Sequence, residues 1–147
     1  MSKTLMIHHV VFCTKHRKPT INMNSKKKLY SVMYNILKTN KCWVYRINGM
    51  HNHVHILFDL HPTVAMADLI KTLKVSTNNY LTGNPDFLTF EGWGVGYFAV
   101  SVSPGDLEPV KNYIIMQQVH HAQNDFLMEI EDLIHNNGMQ WHNDDWD

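Results

Sequence analysis

The run His51-Asn52-His53-Val54-His55-Ile56-Leu57-Phe58 sets two histidines either side of one valine at the head of an apolar stretch. Read as a β-strand it alternates faces, so Val54, Ile56 and Phe58 bury together while His53 and His55 project from the other side. The stems of the two imidazoles then stand about 6–7 Å apart, a spacing at which both reach one metal ion.

Working outward, Asn48-Gly49 just before this run predicts a hairpin turn, because both residue types tolerate positive φ, and residues 42–47 supply the partner strand. Further upstream, Leu29, Val32, Met33, Ile36 and Leu37 recur at three- and four-residue spacing, which predicts an amphipathic helix over 26–40 with Ser25 as its cap. Residues 4–14 are β-branched and apolar enough for a strand, and the basic loop Lys15-His16-Arg17-Lys18 runs from it to Pro19. Downstream, Met66, Leu69, Ile70, Leu73 and Tyr80 predict a helix over 65–81. A loop holding Pro85, Gly92, Gly94 and Gly96 follows, then a strand over 97–103 with Phe98, Val100 and Val102 on one face. Asp106 caps a long terminal helix, Pro109 sits in its first turn, and its apolar spacing runs through Ile114, Ile115, Val119, Ala122, Phe126, Leu127 and Ile130.

The order βαββαβ plus a terminal helix predicts an α+β fold over one domain, residues 1–147. Its economical arrangement is ferredoxin-like, as in RRM domains: a four-stranded antiparallel sheet with two helices on one face. The other face is then open, and His53 and His55 project from it.

A chain of 147 residues with 44% hydrophobic content can bury one sizeable core. It holds no apolar run of membrane-spanning length and no secretory signal pattern, so the cytoplasm is the expected location. Cys13 and Cys42 are too few for a disulfide framework and read as small core residues. Net charge is zero, yet no Asp or Glu precedes Asp59, and the acids gather towards the end, including Glu129, Glu131, Asp132, Asp144, Asp145 and Asp147. A purely basic first third suits a polyanion such as nucleic acid.

On the terminal helix Tyr113 and Gln117 are four apart and share a face, with His120 and His121 one turn on. Together, "VVFCTKHRKP" after the first strand, "MHNHVHILF" on the third, "FAVSVSP" and "VKNYIIMQQVHH" resemble the single-tyrosine HUH transposases, the small enzymes of insertion sequences and their repeat-associated relatives. The resemblance runs from about Met6 to Phe126. It implies that His53, His55 and Gln117 hold a divalent metal, Mg²⁺ or Mn²⁺, and that Tyr113 is the nucleophile. The implied reaction is attack on single-stranded DNA, with hairpin ends, to give a 5′-phosphotyrosine and a free 3′-hydroxyl. A homodimer with exchanged C-terminal helices is implied as well. Lys15, Arg17 and Lys18, then Lys3 and Arg46, are the candidate phosphate contacts. Two other readings stand beside this one. One is a non-catalytic module binding an RNA or DNA hairpin. The other is a zinc hydrolase, disfavoured because no acid accompanies the histidine pair, Asp59 lying four residues on.

Overall fold

The alternation in the third strand and the helical periods on either side produce the expected order. A computed structural model describes residues 1–121, 125–142 and 146, so Ala122, Asp144, Asp145 and Asp147 lie outside the described residues. Strands β1 (Ile7–Cys13), β2 (Trp43–Met50), β3 (His53–Asp59) and β4 (Phe98–Ser101) form one sheet in the order β2-β3-β1-β4. Every pairing is antiparallel, with Val11 opposite His55 and Cys13 opposite His53. Helices α1 (Lys26–Thr39) and α2 (Met66–Leu81) lie on one face. There Leu29, Met33, Leu37, Leu69, Ile70 and Leu73 pack on Val10, Phe12, Val54, Ile56 and Phe58. Each such fully buried apolar side chain contributes about 1.5–3 kcal/mol. Among the described residues no helix is long and apolar enough to cross a membrane.

Three expectations are corrected. First, Asn48 and Gly49 do not turn the chain. They pair with His55 and Val54 inside β2, and the turn falls at His51-Asn52. Gly49 answers a packing demand instead, since a Cβ there would lie 2.2 Å from the His53 carbonyl oxygen.

Second, the face carrying the histidines is not open. Ile7, Val11, Cys13, Leu57 and Phe98 on that face meet Ile114 from α3 (Leu107–Ile115) and Phe126, Ile130 and Ile134 from α5 (Phe126–Asn136). An apolar sheet face of this size cannot stay in water, and the terminal segment supplies its cover.

Third, the terminal helix is not continuous. It breaks at Met116 (φ −90°, ψ 18°), gives a single turn, α4 (Gln117–His120), and restarts at α5, where the Asp125 side chain accepts from Met128 N–H. The break has a visible cause in the buried Asn48 amide, whose Nδ2 donates to the carbonyls of Ile114 at 2.8 Å and Ile115 at 3.3 Å. Those acceptors would otherwise serve the next helical turn.

Candidate active site

Strand β3 delivers His53 and His55 side by side, and both are 0% exposed. Helix α3 carries Tyr113, whose ring centre lies 5.9 Å from that of His55, and α4 carries the fully buried Gln117. The four residues singled out by spacing therefore do converge. A fifth, which spacing did not reveal, joins them from α5. Glu129 Oε1 lies 3.2 Å from His53 Nε2, 3.2 Å from His55 Nε2 and 3.0 Å from His121 Nε2. Its Oε2 accepts from Gln117 Nε2 at 2.8 Å and from the Tyr113 hydroxyl. The absence of an acid beside the histidine pair, expected from Asp59 alone, is thus corrected, because the acid arrives from 74 residues further along the chain than His55.

Two further contacts fix how the imidazoles present their nitrogens. Asn52 donates through Nδ2 to the Arg17 carbonyl at 3.5 Å, which leaves its Oδ1 facing His53 Nδ1 at 2.7 Å. On that assignment of the amide, His53 carries its proton on Nδ1 and offers a lone pair at Nε2. His55 Nδ1 lies 2.8 Å from Nε2 of the buried His9. Burial, then the neighbouring His55, push His9 down to about 3, so it is neutral and can accept from His55 Nδ1. His55 Nε2 is then free as well.

Burial likewise pushes His53 down to about 4, against the opposing pull of Glu129. Burial alone would raise Glu129, but hydrogen bonding from His121 opposes it and the carboxyl is held below the usual range. Tyr113 is raised above its ordinary value by burial, then by the charge and hydrogen bond of Glu129, so the phenol keeps its proton.

The result is a cluster of acceptors pointing inward. His53, His55 and Glu129 each offer one ligand atom, all within 4.8 Å of one another, and the Gln117 carbonyl oxygen lies 3.0 Å from His53 Nε2. Two neutral imidazoles, a carboxylate and an amide oxygen suit a divalent cation with nitrogen and oxygen preference. The donor set fits a metal. On the outer side, a cleft of about 190 Å³ lined by Tyr113, His120, His121, Glu129, Asp132, Leu133 and Asn136 reaches the phenol and the carboxylate.

The basic candidates are spread differently. Lys15, Arg17 and Lys18 share the loop after β1, where His16 and Arg17 take positive φ (55° and 57°). This loop is tied to the β2–β3 turn, since Thr14 N–H donates to the Asn52 carbonyl at 2.9 Å. Lys18 pairs with Glu91 at 3.1 Å, both about half exposed, and the Arg17 guanidinium donates to the Trp146 carbonyl. Lys3 lies in the exposed segment before β1, and Arg46 on the edge strand β2, so neither joins the loop.

A sheet of this topology has counterparts among known proteins. A candidate transposase from Deinococcus radiodurans R1 superposes with a TM-score of 0.60 at 20% identity, covering 79% of this chain and 93% of the other. A REP-associated tyrosine transposase bound to a REP hairpin superposes with a TM-score of 0.61 at 12% identity, covering 100% of this chain and 94% of its own. At these identities the likeness concerns the fold. Among curated proteins none matches. The sequence family described as IS200-like transposases matches residues 2–117, and the chain belongs to that family. Glu129 and α5 lie beyond the matched stretch.

Proposed function

We propose that the chain is a metal-dependent single-strand DNA transposase and nickase with Tyr113 as nucleophile. The observation that carries this reading is the convergence of Tyr113, Gln117, His53 and His55 on one buried carboxylate, Glu129. His53, His55 and Glu129, with the Gln117 carbonyl oxygen, would hold Mg²⁺ or Mn²⁺. Such an ion supplies Lewis-acid activation of a phosphodiester, an effect worth several kcal/mol.

This chain's residues do the rest. Only about 0.1% of an ordinary phenol is ionised at neutral pH, and Tyr113 less, so its oxygen needs an acceptor for its proton as it attacks. Glu129 Oε2 is already hydrogen-bonded to that proton. As the phenolic oxygen bonds to phosphorus, the proton passes to Glu129 and the bond to the 3′-oxygen breaks. Glu129 then gives that proton to the departing 3′-oxygen, and a 5′-phosphotyrosine remains. A later 3′-hydroxyl reverses the sequence, returning the proton to Tyr113 and joining two DNA ends without ATP. The phosphoester bond energy is kept throughout.

Lys15, Arg17 and Lys18 would take phosphates beside the β2–β3 turn, with Lys3 and Arg46 as outlying contacts. A hairpin-ended strand is the favoured substrate, in keeping with the hairpin bound by the structural neighbour. A homodimer with exchanged C-terminal helices would rebuild between subunits the contacts that one chain makes within itself.

The deciding experiment incubates the protein with labelled single strands and Mn²⁺, then looks on a denaturing gel for a protein–DNA adduct. An adduct from the wild type, absent with Tyr113→Phe, supports the reading. Binding without adduct across many strands and both metals would favour the non-catalytic module. For subunit exchange, Tyr113→Phe and His53→Ala subunits mixed together should recover cleavage, and no recovery would place the site within one chain.

A further inference from the structure

Outside this site an open groove of about 570 Å³ runs between α1 and the edge strand β2. Lys27, Tyr30, Ser31, Tyr34 and Asn35 line it from the helix, at the three- and four-residue spacing of a single stripe. Val44, Tyr45, Arg46 and Ile47 line it from the strand. Helix α1 thus carries a second stripe, besides the apolar one that faces the sheet, and it is rich in tyrosine.

The strand side is built by an irregularity. Val44 opposes Phe58 and Arg46 opposes Leu57, so Tyr45 is an extra residue, a bulge that re-aims its neighbours. Tyr45 also packs in the cluster of Leu57, Ile114 and Tyr113. Its ring therefore lies on the far face of the sheet from α1, and the aromatic surface of the groove comes from the helix. Tyr34 is 45% exposed, a large aromatic left in water.

Charge decides the occupant. The lining offers two cations and no carboxylate, and no acid occurs anywhere in the first 58 residues. A second copy pairing edge to edge through β2 would bring Lys27 and Arg46 against their own images. A flexible polyanion with flat apolar faces meets no such penalty.

We propose that this groove holds an unpaired stretch of single-stranded DNA, with a base stacked on Tyr34 beside the partly buried Tyr30 and phosphates held by Lys27 and Arg46. Aromatic platforms interleaved with cations grip single strands with little sequence preference, because every base has a stacking face. The proposal rests on the strand-transfer reading for its purpose, the strand leading to Tyr113, but its binding chemistry is independent of cleavage.

The test measures binding of a fluorescein-labelled oligothymidylate of about 20 nucleotides by anisotropy across a salt series, without metal. Tyr34→Ala should weaken binding about tenfold while Tyr34→Phe, which keeps the ring, stays near wild type. Lys27→Ala with Arg46→Ala should weaken it and lower the salt slope by about 1.4, from about 0.7 per phosphate contact on single strands. An iodouridine-containing strand irradiated on the wild type should crosslink to the peptide bearing Tyr34. Because binding is read without metal and without cleavage, failure of adduct formation leaves this result standing. Equal affinity of Tyr34→Ala and wild type at matched thermal stability would overturn the proposal. So would a wild type that ignores the strand, or sedimentation showing a dimer that the Arg46 and Lys27 changes dissolve.

Discussion

Glu129 Oε2 accepts the hydroxyl proton of Tyr113 from 16 residues away, while the other oxygen of the same carboxylate lies 3.2 Å from both His53 and His55. One side chain thus joins the phenol to the imidazole pair. Glu129→Gln keeps the size and a hydrogen-bonding oxygen but removes the charge. It should weaken Mn²⁺ binding at least tenfold, read by the electron spin resonance signal of free Mn²⁺. It should also lower the Tyr113 titration, since Glu129's charge and hydrogen bond help raise it. Phenolate absorbance against a Tyr113→Phe control would check this, and an unchanged titration would show that burial alone holds the phenol.

His9 touches no candidate ligand atom directly, yet its Nε2 meets His55 Nδ1 at 2.8 Å. His9→Phe should fill the space, leave His55 without its partner and cost about 10- to 100-fold in metal affinity. His9→Gln, which can still present an oxygen, should recover part of it. If calorimetric titration with Mn²⁺ gave equal affinities for wild type and His9→Phe, the contact would be packing only.

Acid should destabilise the metal-free protein early. His9 and His53 sit at about 3 and about 4 when folded, below the ordinary value of 6.5, so in the window between, the unfolded chain holds protons the folded chain lacks. Stability therefore falls as pH drops through that window, by up to about 2.7 kcal/mol per unit where both contribute. Glu129, held low when folded, stabilises above its ordinary 4.5 and adds its loss only below that. Urea melts between neutral pH and pH about 4 would test the trend, and the His9→Phe variant should flatten it.

Asn48→Ala removes the amide that holds the Ile114 and Ile115 carbonyls. Leaving those groups unpaired in a buried place should cost about 1–3 kcal/mol in denaturant melts. Asn48→Asp should be no better, because the donor is what matters. Tyr113 adduct formation should fall alongside, since the break after Ile115 sets the end of its helix.

The sheet and its helices were legible because their signals are local: periods of two and of 3.6 and a loop rich in glycine, whereas Ser25 stands at the start of α1 without a side-chain capping bond. Spacing marked His53 with His55 and Tyr113 with Gln117 as pairs sharing a face, and the resemblance to the single-tyrosine HUH transposases joined the two pairs into one site. Glu129 could not, since in Met128-Glu129-Ile130-Glu131-Asp132 nothing distinguishes it from its acidic neighbours until α5 is folded onto the sheet. His9 left a trace: it alternates with Ile7 and Val11 on the face shared with His55. Asn48-Gly49 misled because a glycine that lets two strands approach looks, in sequence, like one that turns a hairpin. The helix break depended on Asn48, 66 residues from Ile114, a tertiary competition that no local pattern announces.

The amide of Asn52 has one hand on the Arg17 carbonyl and the other on His53 Nδ1. Under the proposed function, a phosphate gripped by the basic loop would pull on this imidazole through Asn52, so that holding the strand and aiming a ligand would be coupled. Geared in this way, cargo and cation should each tighten the other's hold, and cutting the linkage with Asn52→Ala should let Mn²⁺ affinity ignore whether an oligonucleotide is present.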